Sequence, residues 1–464
     1  MSNEPLQHFK TLFLSFVDIT MIHLGFLVAF WIYYVSSPFL ILNDGYLLLT
    51  WISIVAFICF YLFDLYTNWH RKSGTHLMYT IVLSLLTYTI FLLFINHVIG
   101  GMVSIGYLVI SLVIQTCLFL IVRMSLYYFS KRIHGRKRVL IIGEAEDEGF
   151  ILGDKFLNHY TGWFMLKGFV SIKNSKLIKD QLLHVDVVLL SSTLSKGERE
   201  KLMKLCVKEG KEVLLVPQFF EVYLAGAKTQ QIDDLLVFSI PSSNLSNIQK
   251  GVKRTVDIAV SVTLLIVLSP FIILLFFLIP LTSSGPALFK QERLGLNEQP
   301  FQLYKFRSMV QDAERISGPV LASEKDPRIT TLGKILRATR LDELPQLFNV
   351  LKGEMSLIGP RPERMFFISQ FKKQFPDYSL RFHVKPGITG LAQVLSYYST
   401  TVEDKLRYDL MYVSNYSFIV DMKILVQTLR VVLQREHAKG IDEEAVARRE
   451  KLLELVNQKR VINQ

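Results

Sequence analysis

Four apolar runs follow one another at the start of this 464-residue chain: Leu12 to Val35, Tyr46 to Tyr66, Met78 to Ile95 and Ile105 to Phe129. Each is close to or beyond the roughly 20 residues that a helix needs to cross about 30 Å of hydrocarbon. Half of all residues are hydrophobic and the mean hydropathy is +0.33, so the chain reads as a membrane protein. The linkers give an orientation. The first, with Ser37, Pro38, Asn43 and Asp44, and the third, around Gly100 and Gly101, hold no Lys or Arg. Arg71 and Lys72 sit in the second, and Lys131, Arg132, Arg136, Lys137 and Arg138 follow the fourth run. Both chain ends are therefore expected on the cytoplasmic side. Met1 to Lys10 lacks a charged stretch followed by a cleavage site, so the first run is expected to stay in the mature protein. Asp18, Asp64, Gln115 and Arg123 interrupt the runs, and an intramembrane ionisable group can mark a transport path. All but Gln115 lie near run ends, where snorkelling is cheap, so a structural use is expected.

The net charge of +12 suits an anionic membrane face, nucleic acid or small phosphorylated substrates. Cys59, Cys117 and Cys206 have no second Cys or His at ligand spacing, which argues against a disulfide framework or a zinc site. After the runs, Arg138 to Gly143 reads as a buried strand ending at a glycine turn. Further strands are expected at Gly168 to Ile172, Val185 to Leu190 and Val213 to Val216, with a helix at Lys196 to Lys208. That alternation predicts a parallel sheet of Rossmann type. Glu144, Glu146, Asp147 and Glu148 follow Gly143 and would repel a pyrophosphate. The turn reads as degenerate, with a structural or regulatory role favoured over cofactor binding.

Val256 to Leu281 is long enough to span, yet Lys250, Lys253 and Arg254 precede it and Lys290 and Arg293 follow it. Positive charge on both sides argues against crossing, and Ser269-Pro270 near its middle predicts a break. A helix-break-helix that re-enters the same face satisfies both, while a kinked span is the alternative. Beyond it, Leu341 to Gly353 carries apolar residues at 341, 344, 347, 348 and 351, with Pro345 at a helix start and Gly353 at its stop. Asp342 and Glu343 fall at the entrance, where free amides favour negative charge. From spacing alone a capping pair is the better reading. Their company changes it: Lys305, Arg307, Arg337 and Arg340 lie upstream and Arg361 lies in Gly359-Pro360-Arg361-Pro362, a combination that suits phosphate and metal.

Six ordered motifs carry a resemblance. They are Gly285-Pro286 with Phe289 to Gly295, Tyr304 to Met309, Asp326-Pro327-Arg328, Leu341 to Gln346, Met355 to Glu363 and Lys385 to Gly390. Together they resemble the bacterial sugar transferase family of monotopic phosphoglycosyl transferases, in its long form. The resemblance implies a re-entrant anchor broken at Ser269-Pro270 and a nucleophile, Asp342, that attacks the β-phosphorus of a UDP-sugar. It implies Mg²⁺ on Glu343 and Asp342, and phosphate binding by Lys305, Arg307, Arg337 and Arg361. Arg340 is left structural or auxiliary. The partners implied are a UDP-sugar, polyprenyl (undecaprenyl) phosphate and the lipid bilayer, with no nucleic acid; a homo-oligomer is left open. Glucose, galactose and N-acetylated or diamino sugars all remain open as the transferred group, and the product implied feeds exopolysaccharide, capsule or O-antigen synthesis.

The fold class expected is a multidomain membrane protein. It comprises a four-helix transmembrane bundle (1–134), a Rossmann-like α/β domain (135–246), a mainly α-helical catalytic domain with a re-entrant helix at 256–281 (247–437), and a charged C-terminal helix (438–464). Its expected place is the bacterial inner membrane, multi-pass, with the catalytic domain on the cytoplasmic face. Phe418 to Leu433 reads as an interfacial helix or as core. A membrane-bound dehydratase or epimerase would need a glycine fingerprint and a Tyr-x-x-x-Lys pair, and neither occurs between Arg138 and Ser246. A non-catalytic scaffold would be expected to lack the intact Asp342-Glu343 pair.

Overall fold

The computed structural model describes residues 4–36, 46–67, 69, 73–98, 100, 103–144, 149, 152–153, 164–240, 246–311, 326–396 and 400–434. Arg71, Lys72, Glu146, Asp147, Glu148, most of the linker residues named above and the 438–464 tail lie outside them. The chain divides into two compact units, Met1–Val216 and Pro217–Gln464. The segment 217–239, read from sequence as the end of the middle domain, groups with the second.

In the first unit the four apolar runs are helices: α1 (Glu4–Ser36), α2 (Tyr46–Leu62), α3 (Gly74–Val98) and α4 (Ile105–His134). α1 packs chiefly on α4, α4 on α3 and α3 on α2. Since lipid tails are as apolar as Leu, such helices hold together through close packing and polar contacts. Close packing shows at Gly25, where a Cβ would stand 2.4 Å from Gln115 Cγ; Gln115 in turn donates to the Ile22 carbonyl at 3.3 Å. The polar contact is an ion pair. Arg123 Nε donates to Asp18 Oδ1 at 3.0 Å and its second arm reaches Oδ2. Neither residue is exposed, and the Tyr66 ring lies 5.7 Å from the guanidinium carbon. Snorkelling is thus the wrong account of these two residues, because α4 continues to His134 and leaves Arg123 about 16 Å from its end. Asp64 does act locally. α2 stops at Leu62, short of Tyr66, and Asp64 takes the left-handed conformation (φ 54°) while Leu65 N–H bonds the Phe60 carbonyl at 3.1 Å. This is a Schellman ending with Asp in the place usually held by Gly.

The same unit contains a parallel sheet of β1 (Lys137–Gly143), β2 (Phe164–Ser171), β3 (Val187–Leu190) and β4 (Glu212–Leu215), with α5 (Ser175–Leu182) and α6 (Lys196–Lys208) between strands. Both faces are covered. Leu140, Ile142, Val188 and Leu190 meet Ile178, Leu182, Leu202 and Cys206 on one, and Val139, Ile141, Val187 and Leu189 meet Leu152 and Phe169 on the other. The strand order is β2-β1-β3-β4. That is the flavodoxin-type order of doubly wound sheets, not the 3-2-1-4 order of dinucleotide-binding ones. A Cβ on Gly149 would stand 2.2 Å from the Phe169 ring, and one on Gly143 would stand 3.1 Å from it. Close approach at these glycines is thus taken up by an aromatic side chain.

The second unit opens with α7 (Phe219–Ala225) and the hairpin β5 (Lys228–Ile232) and β6 (Leu235–Ser239), followed by the long helix α8 (Asn247–Thr282). α8 runs as one helix from Asn247 to Thr282 with Ser269-Pro270 inside it. Pro270 has no amide for the Ile266 carbonyl, and Ser269 Oγ donates to that carbonyl at 2.8 Å instead. After α8 come the antiparallel pair β7 (Leu288–Leu294) and β8 (Pro300–Phe306), then α9 (Thr331–Thr339), a 3₁₀ turn at Leu341–Glu343 and α10 (Gln346–Lys352). The remainder is β9 (Ser356–Ile358), α11 (Met365–Gln374), a 3₁₀ stretch at Pro376–His383, β10 (Gly387–Thr389), α12 (Leu391–Leu395), α13 (Val402–Ser414) and α14 (Phe418–Gln434).

One turn of α8 fastens it to this unit. Lys253 Nζ donates to the Ile358 carbonyl at 3.1 Å and to Asp421 at 2.8 Å, and Arg254 caps the Val350 and Leu351 carbonyls at the end of α10. Asp257, 5% exposed, accepts from Ser356 Oγ and from the Leu357 amide. Two of the cations that the sequence reading counted as a membrane-flanking charge are therefore engaged with protein groups. A second buried pair, Arg381 with Asp409 at 2.7 Å, lies where the Pro376–His383 stretch meets α13. Burial, and after it the Glu363 charge, outweighs Arg381 and pushes the Asp409 carboxyl up to about 6.

Two outcomes follow from these buried charges. Asp18→Leu should leave Arg123 buried and uncompensated and cost about 3–5 kcal/mol, whereas Asp18→Leu with Arg123→Met should recover most of the loss. Thermal unfolding of the protein in detergent reads both, and equal loss in single and double variants would refute the account. Asp409 binds its proton more tightly folded than unfolded. Its stabilising contribution is therefore present below the ordinary carboxylate range and is lost as pH rises through about 6. The melting temperature of the protein should accordingly fall relative to Asp409→Asn between pH 4.5 and 7.5.

Candidate active site

The Asp342-Glu343 pair owes its position to a strained bend. α9 ends at Arg340 in the left-handed conformation (φ 59°, ψ 14°), unusual for a side chain of that size. The chain turns there, passes through the Leu341–Glu343 turn, and resumes as α10 after Pro345, with Gly353 (φ 86°) ending α10 as the sequence spacing implied. Leu347 and Val350 anchor α10 in the core against Phe301 and Leu303 of β8. Asn349, fully buried, locks the two together by accepting from the Tyr304 amide at 3.1 Å and donating to the Gln302 carbonyl at 2.6 Å. The sequence reading passed over Asn349. By helical spacing it falls on the polar side of α10, away from the stripe at 341, 344, 347, 348 and 351.

Glu343 Oε1 is the meeting point. Lys305 Nζ from β8 donates to it at 3.1 Å, Arg361 donates at 2.7 Å, and an Arg340 nitrogen lies 3.8 Å away. Burial alone would raise this carboxyl, but the charges of Arg361, Lys305 and Arg340 outweigh it and hold Glu343 well below the usual carboxylate range. Arg361 is held above its ordinary value, first by the Glu343 charge, and burial pulls Lys305 down. Asp342 differs. It is 8% exposed and its Oδ1 has no hydrogen-bond partner among the described residues. Burial and then the Glu343 charge raise its carboxyl, against Lys305, Arg337 and Arg340. Two adjacent carboxylates are thus driven in opposite directions.

Lys305, Arg340 and Arg361 are gathered on Glu343, and Arg337 on α9 acts on Asp342 through its charge. Arg307 stands apart: its guanidinium binds the Ser283 and Ser284 carbonyls and the Ser283 hydroxyl, closing the end of α8. Ser269 and Pro270 lie within α8. Arg361 is aimed by paired backbones, because the Gly359 amide bonds the Thr389 carbonyl at 2.9 Å and the Gly387 amide bonds the Pro360 carbonyl at 3.0 Å. Cβ atoms on Gly359, Gly387 and Gly390 would each come within 2.2 Å of backbone across this contact. The Lys385-to-Gly390 motif therefore serves the site by backing the Arg361 turn.

The orphaned Asp342 Oδ1 beside a second carboxylate is a donor set that suits a hard divalent cation. Among the described residues no cluster of three or more His, Cys, Asp or Glu could hold one. Mg²⁺ fits a site of this kind, since it takes one or two carboxylates and completes its shell with water and phosphate oxygens.

A family model described as bacterial sugar transferase matches residues 248–435. The UDP-N-acetylgalactosamine-undecaprenyl-phosphate N-acetylgalactosaminephosphotransferase of Aeromonas hydrophila is 40% identical over 240 residues, 51% of this chain and 56% of that protein. The UDP-glucose:undecaprenyl-phosphate glucose-1-phosphate transferase of Klebsiella pneumoniae is 39% identical over 222 residues, 47% of this chain and 48% of that one. The similarity thus spans about half the length of these two relatives. Exopolysaccharide production protein PSS of Rhizobium leguminosarum bv. phaseoli is 42% identical over 196 residues, 40% of this chain but 97% of its own length. With a relative matched almost end to end and the family model falling on the residues that build this site, the chain belongs to the bacterial sugar transferase family.

Proposed function

We propose that the protein transfers a sugar 1-phosphate from a UDP-sugar to polyprenyl phosphate through a covalent intermediate on Asp342, the first membrane step of exopolysaccharide, capsule or O-antigen synthesis. The observation that carries this is the contrast within the pair: Glu343 is tied to three cations while the buried Asp342 Oδ1 has no partner among the described residues. The names of the relatives support the substrate classes. A carboxylate oxygen of Asp342 would attack the β-phosphorus, the bond to the UMP oxygen would break, and UMP would leave. An oxygen of polyprenyl phosphate would then attack the same phosphorus and return the carboxylate, so no water is consumed. Arg361, Lys305 and Arg337 would bind the phosphate oxygens, and Arg340 would hold Glu343 in place. Arg307, committed to the end of α8, would position that helix rather than the phosphate. Mg²⁺, held by Glu343 and Asp342, would supply charge neutralisation of the diphosphate.

The parallel sheet of the first unit is proposed to be a Rossmann-like domain of structural or regulatory use. α8 is proposed to re-enter the inner membrane, its two ends on the cytoplasmic face. Its apolar surface supports membrane contact: Ile266, Val267, Phe271, Ile273, Leu274 and Phe277 are all exposed.

Asp342→Asn and Glu343→Gln should each abolish UMP release from a UDP-sugar panel supplied with polyprenyl phosphate and Mg²⁺, while both variants still fold. Without acceptor, mass spectrometry of the unmutated protein should find a phosphosugar on the peptide holding Asp342. Near-normal turnover by Asp342→Asn would sink the covalent route.

For topology, single cysteines near Lys250 and Lys290, in a background without Cys59, Cys117 and Cys206, should both be shielded from an impermeant thiol reagent outside intact cells. Labelling near Lys290 would refute re-entry.

A further inference from the structure

Arg361 reaches Glu343 from a turn whose prolines are buried and whose backbone pairs with the Gly387–Thr389 segment. Beneath Pro360, Arg361 and Pro362 lies a cavity of about 10 Å³, room for about one water molecule. Polar side chains also hold the backbone there. Arg381, 5% exposed, donates to the Arg361 carbonyl at 2.8 Å and to the Tyr378 hydroxyl at 2.6 Å, and pairs with Asp409 at 2.7 Å. Arg293 donates to the next carbonyl, Pro362, at 3.2 Å. A buried guanidinium is costly without partners, and these three bonds use its planar fork in a way that the single ammonium of a lysine cannot copy.

We propose that Arg381, held by Asp409 and Tyr378, is a positioning residue whose bond to the Arg361 carbonyl sets the reach of the Arg361 guanidinium to Glu343 and to a substrate phosphate. The chain of contacts runs from Asp409 on α13 through Arg381 to Arg361 and ends at Glu343 Oε1, 2.7 Å from the guanidinium. A buried pair used only for packing would have no reason to place one arm on this particular carbonyl. The proposal rests on the transferase reading above and adds to it a residue outside the reach of substrate.

The test is a double-variant cycle. Arg381→Lys keeps the charge beside Asp409 but loses the fork, and should lower kcat/KM for UMP release by between about tenfold and a hundredfold. In an Arg361→Ala background the same change should cost less than about twofold, because a residue acting through Arg361 has nothing left to position. Effects that multiply in the two backgrounds, or unchanged turnover in Arg381→Lys, would overturn the proposal. Should Arg381→Lys fail to fold, Asp409→Asn is read in the same cycle. UDP affinity by calorimetry supplies a readout without turnover. If the unmutated protein releases no UMP from any UDP-sugar, the transferase reading falls. In that case a non-additive loss of UDP affinity still upholds the coupling, and an additive one refutes it.

Discussion

The carboxylate of Glu343 is the point on which the catalytic unit converges. Its Oε1 binds Lys305 from β8 and Arg361 from the turn after β9, two strands that share one apolar core. Remove that charge and three cations face one another without a counter-ion. Such an arrangement in a poorly solvated site is costly, which favours the ionised acid. Glu343 is accordingly held toward its charged form, and burial, followed by the Glu343 charge, raises Asp342 next door. The glutamate that gathers the cations thus also acts, after burial, on the carboxyl beside it.

The same logic of buried charge recurs away from the site. In the helical bundle Asp18 and Arg123 join α1 to α4 through two hydrogen bonds, in surroundings where neither could be hydrated. In the second unit Lys253, Arg254 and Asp257, on one turn of α8, link that helix to β9, to α10 and to Asp421. These links make a long apolar helix and a polar site into one body. A helix that carried only apolar residues through this turn would have no directional bonds to fix its approach.

Glycine has a different task in each unit. Near β1 the glycines that could have admitted a pyrophosphate instead face the Phe169 ring, and the strand order belongs to the other doubly wound family. Around Arg361 the glycines permit two backbones to touch, which a Cβ at any of three positions would prevent. Sequence spacing alone treats both sets as turns. The difference lies in what approaches them.

Local physics determined much of this protein from sequence alone. Run length gave the apolar helices, because a helix must satisfy its own backbone in hydrocarbon. Gly353 gave the end of α10, because the left-handed residue there favours glycine. The ordered motifs identified the acids and most of the bases, since phosphate chemistry leaves few choices of residue type. Tertiary structure alone decided which charges meet. Asp18 and Arg123 are 105 positions apart and looked like two unrelated groups at the ends of runs. Arg307 belonged by motif to the phosphate set but lies against the end of α8. Asn349 and Arg381 gave no signal at all, because a hydrogen bond to a backbone carbonyl leaves no trace in the identity of its acceptor. Even Ser269-Pro270 follows this division: proline dictated a lost amide, and only the fold showed that the neighbouring hydroxyl takes the stranded carbonyl.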